Sequence, residues 1–209
     1  MSYVHTFKNT TGVILAGGKS SRMGENKALL QINKLTLLEH AIIILESLKL
    51  NNIYISGNIC PDIIPNNKYP IIDDNNEFAE HNNKSNGPIV GIYSSINYII
   101  KNNRNSLIDN ILFIPVDMPL LNNEILSNLI LSLNNKLDAA YYFSGPLPLI
   151  INLTDNMVRW CLQNIENING SLKNFLTSHE TKVLSVPHNI VSNLVNLNTP
   201  TDYNNLQKV

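Results

Sequence analysis

Apolar and polar positions along this chain switch between two periods, and the switches divide it into strands and helices. Thr11 to Ala16 (TGVILA) is a β-branched apolar run that stops at Gly17-Gly18, the pattern of a strand buried on both faces. Lys19 to Lys34 is polar and punctuated by glycine, which predicts a loop with a short strand at Leu29 to Ile32. Thr36 and Glu39 then stand at capping-box spacing, and Leu38, Ala41, Ile42, Leu45 and Leu48 follow at helical intervals. Asn52 to Ser56 (NIYIS) and Tyr69 to Asp73 (YPIID) predict a second and a third strand, and Asn75 to Asn86 a mobile polar loop. Gly87-Pro88 opens a helix that runs to about Ile100, with the proline suited to its first turn.

Asn110 to Val116 (NILFIPV) predicts a fourth strand, ending at Asp117. Leu121 to Leu133 reads as a helix capped by Asn122 or Asn123, and Ala139 to Phe143 and Leu147 to Leu153 as two more strands. Thr154 caps a helix through Asn164, and Ser171 caps another through about Ser178. Lys182 to Val186 and Leu194 to Asn196 read as short extended pieces. Thr199-Pro200-Thr201-Asp202 combines a cap, a first-turn proline and an early acid, hence a helix start. Strands alternating with helices predict an α/β sandwich on a mainly parallel sheet. No internal repeat or dividing linker is visible, so residues 1–209 are expected to form one domain. Ligands of such sheets sit beyond the carboxyl ends of strands, which directs attention to Gly17, Asp73-Asp74 and Asp117.

Composition narrows the function. Over 209 residues, 15 Lys and Arg face 16 Asp and Glu, a net charge of −1, so a general nucleic-acid binder is not expected. A local basic site for a phosphorylated small molecule is compatible with that balance. The hydrophobic fraction of 44% supports a packed core. Cys60 and Cys161 form neither a C-x-x-C pair nor zinc spacing and read as reduced structural thiols. Met1 to Thr11 has no apolar signal core, and no apolar run reaches the roughly 18 residues of a membrane span, so the expected location is the cytoplasm. The scattered histidines have no ligand spacing, and Trp160 reads as core.

The sharpest chemistry lies in Leu15-Ala16-Gly17-Gly18-Lys19-Ser20-Ser21-Arg22-Met23-Gly24-Glu25-Asn26-Lys27. Its glycines let backbone amides approach an anion, and Arg22 and Lys27 add two cations for a polyphosphate. It is neither a Walker A loop nor a G-x-G-x-x-G fingerprint. Asp117, between an apolar strand and Met118-Pro119, is either a turn residue or a carboxylate placed for Mg²⁺, which prefers oxygen ligands shared with substrate phosphates. Asp73 and Asp74 are turn acids or contacts to nucleotide or metal on equal terms.

Leu15 to Lys27 resembles the L-A-G-G-x-x-x-R-M-G-x-x-K signature of the molybdenum cofactor guanylyltransferase (MobA) family, nucleotidyltransferases with a Rossmann-like fold. Gly87-Pro88-Ile89-Val90-Gly91 resembles that family's G-P-L-x-G segment, Pro115 to Pro119 its x-x-D-x-P metal segment, and Asn196 to Pro200 its N-x-N-T-P motif. The resemblance implies a three-layer αβα sandwich and transfer of GMP from GTP to the terminal phosphate of molybdopterin, with Mg²⁺ as cofactor. Leu15, Ala16, Gly17 and Gly18 would line the nucleotide, with Lys27, Ser56 and Asp74 at matching contact positions. Ser56 stands where some relatives have Asn, which makes Asn58 a neighbouring candidate. Arg22 and Lys27 would face the triphosphate, Asp117 would hold the metal, and Asn196 and Asn198 would contact the molybdopterin side. Leu147, before Pro148, replaces the Gln or His the family commonly carries there. GTP and molybdopterin are the implied partners, with molybdoenzyme-maturation proteins beside them and neither nucleic acid nor membrane. The rivals are the same chemistry with CTP, a sugar-nucleotide or isoprenoid nucleotidyltransferase, and a non-catalytic module that delivers the cofactor.

Overall fold

The computed structural model describes residues 7–17, 27–64, 68–73, 87–102, 108–163 and 171–206. Gly18, Arg22, Asp74 and the loop 75–86 therefore lie outside the described residues. Thr10–Leu15 forms β1, buried along its whole length as its apolar run predicts. A 3-10 turn at Lys27–Leu29 leads into a hairpin of β2 (Gln31–Ile32) and β3 (Leu35–Thr36). Asn33 and Lys34 make the turn with φ of 51° and 71°, the doubly left-handed geometry that matches the twist of a tight hairpin. Helix α1 (Leu37–Ser47) starts on the expected capping box. The Thr36 hydroxyl accepts the Glu39 amide at 3.1 Å, and the Glu39 carboxylate accepts the Thr36 amide at 2.7 Å. That backbone hydrogen bond from Thr36 is the main reason the Glu39 carboxyl is held below its usual range.

The chain then runs through β4 (Asn52–Ser56), β5 (Ile71–Ile72), α2 (Pro88–Asn102), β6 (Asn110–Pro115) and α3 (Asn123–Leu131). Asn122 caps α3 by accepting the Ile125 amide at 3.0 Å. Next come β7 (Ala139–Tyr142), β8 (Leu149–Asn152), α4 (Asp155–Gln163), α5 (Leu172–Thr177), β9 (Thr181–Leu184) and α6 (Pro200–Leu206). Thr154 and Ser171 cap α4 and α5 with their hydroxyls, as their sequence positions predict. Leu194, expected in an extended piece, instead ends a 3-10 helix over His188–Leu194. Ile190 and Leu194, four residues apart, are the only buried side chains of that turn, too short an apolar signal to stand out in a polar stretch.

The seven-stranded sheet has the order β5-β4-β1-β6-β8-β7-β9, with β8 antiparallel to both neighbours and the other pairs parallel. Alternation along β1 sorts the core into two layers. Ile14 packs with Leu38, Leu45 of α1 and Leu126, Leu129 of α3 on one face. Val13 and Leu15 pack with Ile92, Ile96 of α2, Met157 of α4 and Phe175 of α5 on the other. The result is the expected three-layer αβα arrangement. Trp160 packs against Phe175, Tyr93 and His179, which bears out its reading as core. Burial pushes the Cys161 thiol up to about 12, so it is an inert packing group. No described helix is long and apolar enough to cross a membrane.

The chain leaves β1 towards β4 and β5, then returns across β1 to reach β6. The order of strands therefore reverses between β1 and β6, and in sheets of this kind the ligand crevice lies beyond the carboxyl ends at such a reversal. Ala16-Gly17 and Val116-Asp117 emerge at that point.

Candidate functional site

One side of this crevice is made of main chain. Ala16 and Gly17 both donate their amides to the Ser56 carbonyl, at 2.8 and 3.2 Å. Gly57 follows with φ of +135°, and a Cβ on it would stand 2.4 Å from the Gly17 nitrogen. Only glycine allows the turns after β1 and β4 to touch in this way. Gly57 donates its own amide to Ile72, which brings the end of β5 into the same stack. Ser56 itself is 1% exposed, and its hydroxyl donates over a long 3.4 Å to the Gly91 carbonyl of α2. Its side chain thus turns into the helix behind the crevice, and it supports the floor with its carbonyl. Asn58 and Asp73 are exposed beyond the strand ends.

The other side is made of side chains. Val116 donates to the Leu15 carbonyl at 3.1 Å, extending the ladder past β6 and delivering Asp117 beside Ala16. Lys27 opens its 3-10 turn, which the buried Ala28 anchors. The Lys27 ammonium donates to Asp117 Oδ2 at 3.0 Å and to Asn198 Oδ1 at 3.2 Å. The Lys27 and Asp117 side chains are 22% and 17% exposed, so solvent screens this pair less than a surface ion pair. Leu197, buried between Asn196 and Asn198, donates its amide to the Asp117 carbonyl at 2.8 Å. Asn196 has a buried side-chain oxygen with no hydrogen-bond partner among the described residues.

The structure therefore brings Lys27, Asp117 and Asn198 together across sequence separations of 90 and 171 residues. Leu15, Ala16 and Gly17 lie along the adjoining strand end. The expectation that Asn198 looks towards the acceptor gains a nearer relation, its contact with Lys27, which no spacing rule could have shown. Asp117 fits a small, hard divalent cation by the chemistry of its oxygens. Oδ2 meets Lys27, while Oδ1 makes no hydrogen bond among the described residues. No cluster of three His, Cys, Asp or Glu side chains lies near it among the described residues. A cation there would share one carboxylate with substrate phosphates, the usual arrangement for magnesium-like ions. The arrangement can bind an anion with the Lys27 ammonium and hold a metal at the Asp117 carboxylate, without supplying a protein nucleophile.

Known proteins point the same way. A family model described as the MobA-like NTP transferase domain matches residues 12–182. The molybdenum cofactor guanylyltransferase of Xanthomonas euvesicatoria pv. vesicatoria (strain 85-10) is 30% identical over 199 residues, covering 94% of this chain and 93% of that protein. A probable molybdenum cofactor guanylyltransferase of Bacillus mycoides (strain KBAB4) is 33% identical over 129 residues, 61% of this chain, and the match spans only 58% of that relative's length. The crystal structure of molybdopterin-guanine dinucleotide biosynthesis protein A from Archaeoglobus fulgidus superposes with a TM-score of 0.68 at 18% identity, over 95% of this chain and 97% of that one. A protein from Mycobacterium tuberculosis H37Rv, solved in complex with manganese, gives 0.64 at 16% identity, over 95% and 98%. At such identities the two structures speak for the fold alone.

Proposed function

The chain belongs to the MobA-like NTP transferase family, and from that premise we propose that it transfers GMP from GTP to the terminal phosphate of (molybdenum-)molybdopterin and releases pyrophosphate. The observation that carries this reading is the meeting of Lys27 with Asp117 and Asn198, at 3.0 and 3.2 Å, beside the amides that follow β1. In the reaction, an oxygen of the acceptor's phosphate attacks the α-phosphorus of GTP in line. A new P–O bond forms, the bond from the α-phosphorus to the bridging oxygen breaks, and pyrophosphate departs with that electron pair. The obstacle is repulsion between two polyanions, since the attacking oxygen is already anionic and needs no base.

This chain's residues answer that obstacle with position and charge. Lys27 supplies a cation that two acceptors hold in place, and Arg22 adds a second by its place in the motif. Leu15, Ala16 and Gly17 would line the nucleotide, with Gly18 and Asp74 contacting it by their place in the sequence. Ser56 contributes the carbonyl that fixes the Ala16 and Gly17 amides. Asp117 would hold Mg²⁺, which when bound neutralises charge moving to the leaving group. Asn196 and Asn198 would contact the acceptor side by their place in the motif. In this reading residues 1–209 act as one nucleotidyltransferase domain in the cytoplasm, and molybdoenzyme-maturation proteins receive the product.

The test is pyrophosphate release by purified protein supplied with molybdopterin, Mg²⁺ and each nucleoside triphosphate in turn. Release with GTP at the highest kcat/KM, together with a guanine dinucleotide product by mass, is expected. A higher kcat/KM with CTP would replace guanylyl by cytidylyl transfer. No release with any nucleotide would leave the delivery module.

A further inference from the structure

We propose that Asp202, a residue outside the contact set described so far, is a positioning residue. Through Asn198 it holds the Lys27 ammonium against Asp117. This rests on the transferase reading above. Asp202 is the third residue of α6 and closes a reciprocal cap with Thr199. Its amide donates to the Thr199 hydroxyl at 3.2 Å, and its Oδ2 accepts the Thr199 amide at 2.8 Å. An ordinary capping box ends there. Here the same oxygen also accepts the Asn198 amide, at 3.0 Å. Two consecutive amides are thus tied to one carboxylate oxygen, which fixes the peptide from which the Asn198 side chain departs. Asn198 Oδ1 in turn accepts from Lys27 at 3.2 Å.

The need for such a device lies in lysine. An ammonium on a four-carbon stem is a point charge with no orientation of its own, and acceptors decide where it rests. Among the described residues Lys27 has two, Asp117 Oδ2 and Asn198 Oδ1. The buried Leu197, whose amide meets the Asp117 carbonyl, anchors the near side of the segment. Asp202 anchors the far side. Hydrogen bonds from Thr199 and then Asn198 hold its carboxyl below the usual range, so it remains ionised at neutral pH.

Three variants separate positioning from mere helix capping. Asp202→Ala removes both ties, Thr199→Ala removes the hydroxyl half of the cap and leaves both ties, and Asp202→Glu keeps a carboxylate at the capping position. Misplacing Lys27 by about an ångström is expected to lower kcat/KM for GTP on the order of 10- to 100-fold in Asp202→Ala. Asp202→Glu should recover most of that loss. Thr199→Ala should lower the unfolding temperature comparably while leaving kcat/KM unchanged. In a Lys27→Met background, Asp202→Ala should add no further loss. Equal rate losses in the two alanine variants, or losses that multiply in the Lys27→Met background, would overturn the proposal. A readout free of catalysis is the rate at which an acylating reagent labels Lys27, followed by mass spectrometry. Labelling should quicken in Asp202→Ala and stay unchanged in Thr199→Ala; unchanged labelling in both would also overturn it. A wild-type protein that transfers no GMP would sink the transferase reading, and the labelling contrast would still decide the role of Asp202.

Discussion

The two walls of the crevice are made of different material. On the β1–β4 side the amides of Ala16 and Gly17 share one carbonyl, and Gly57 lies so close that a methyl group would overlap main-chain atoms. On the β6 side Lys27, Asp117 and Asn198 meet through side-chain atoms that remain partly open to solvent. The first wall is set by the same hydrogen bonds and contacts that hold the sheet, so changes there are expected to reach the fold. The second can lose a group while the sheet stands, so changes there are expected to reach turnover. A polyphosphate site needs both: a main-chain scaffold that does not have to reorganise, and charges held where negative charge develops.

Asp117→Ala should separate the walls most sharply. Turnover is expected to fall on the order of 10²–10³-fold, with thermal unfolding close to wild type. Near-normal product formation in that variant would remove Asp117 from the metal's place. Gly57→Ala probes the opposite wall. Left-handed strain and main-chain overlap should destabilise the protein by about 2–4 kcal/mol and lower its melting temperature by roughly 5–15 °C. A calorimetric midpoint equal to wild type would show that the wall yields. Asn198→Ala, which deletes a hydrogen bond to a charged group, is expected to lower kcat/KM about tenfold at an unchanged midpoint. A drop in midpoint with no kinetic change would move Asn198 to the structural side of the divide.

The smallest effect calibrates the others. Glu39→Gln keeps the reach of the α1 cap but removes its charge, and should cost under about 1 kcal/mol at neutral pH. The folded carboxyl lies below its usual range, so the ionised form is favoured in the folded state. Its contribution is therefore present above the unfolded carboxyl's range and fades as pH falls through the folded value. Denaturant titrations at neutral and acid pH should show wild type and variant converging in acid. A gap that widens on acidification would reverse the assignment.

Local chemistry was legible wherever a pattern is carried by neighbouring residues. The apolar runs of β1, β4 and β6 and the caps at Thr36, Asn122, Thr154 and Ser171 were all readable, because each depends on residues a few positions apart. Asn33-Lys34 escaped notice as a hairpin turn because neither residue is glycine, although both adopt left-handed backbone. The antiparallel course of β8 was hidden too, since pairing direction is decided by partners far away in sequence. In the site, the motif points to Lys27 as a cation and Asp117 as a carboxylate. Their contact with each other and with Asn198 is a property of the sheet's reversal between β1 and β6. Ser56 shows the converse: its place at a strand end is readable and its orientation is not, because a strand end can turn its last side chain to either face.

The 171 residues between Lys27 and Asn198 also have a meaning in time. A ribosome adding 5–20 residues per second needs about 10–30 s to travel between them. For the first 90 of those residues the young polypeptide carries the lysine alone, and after that a lysine and an aspartate without the amide that later joins them. The three side chains can therefore meet only in molecules whose translation has passed the asparagine.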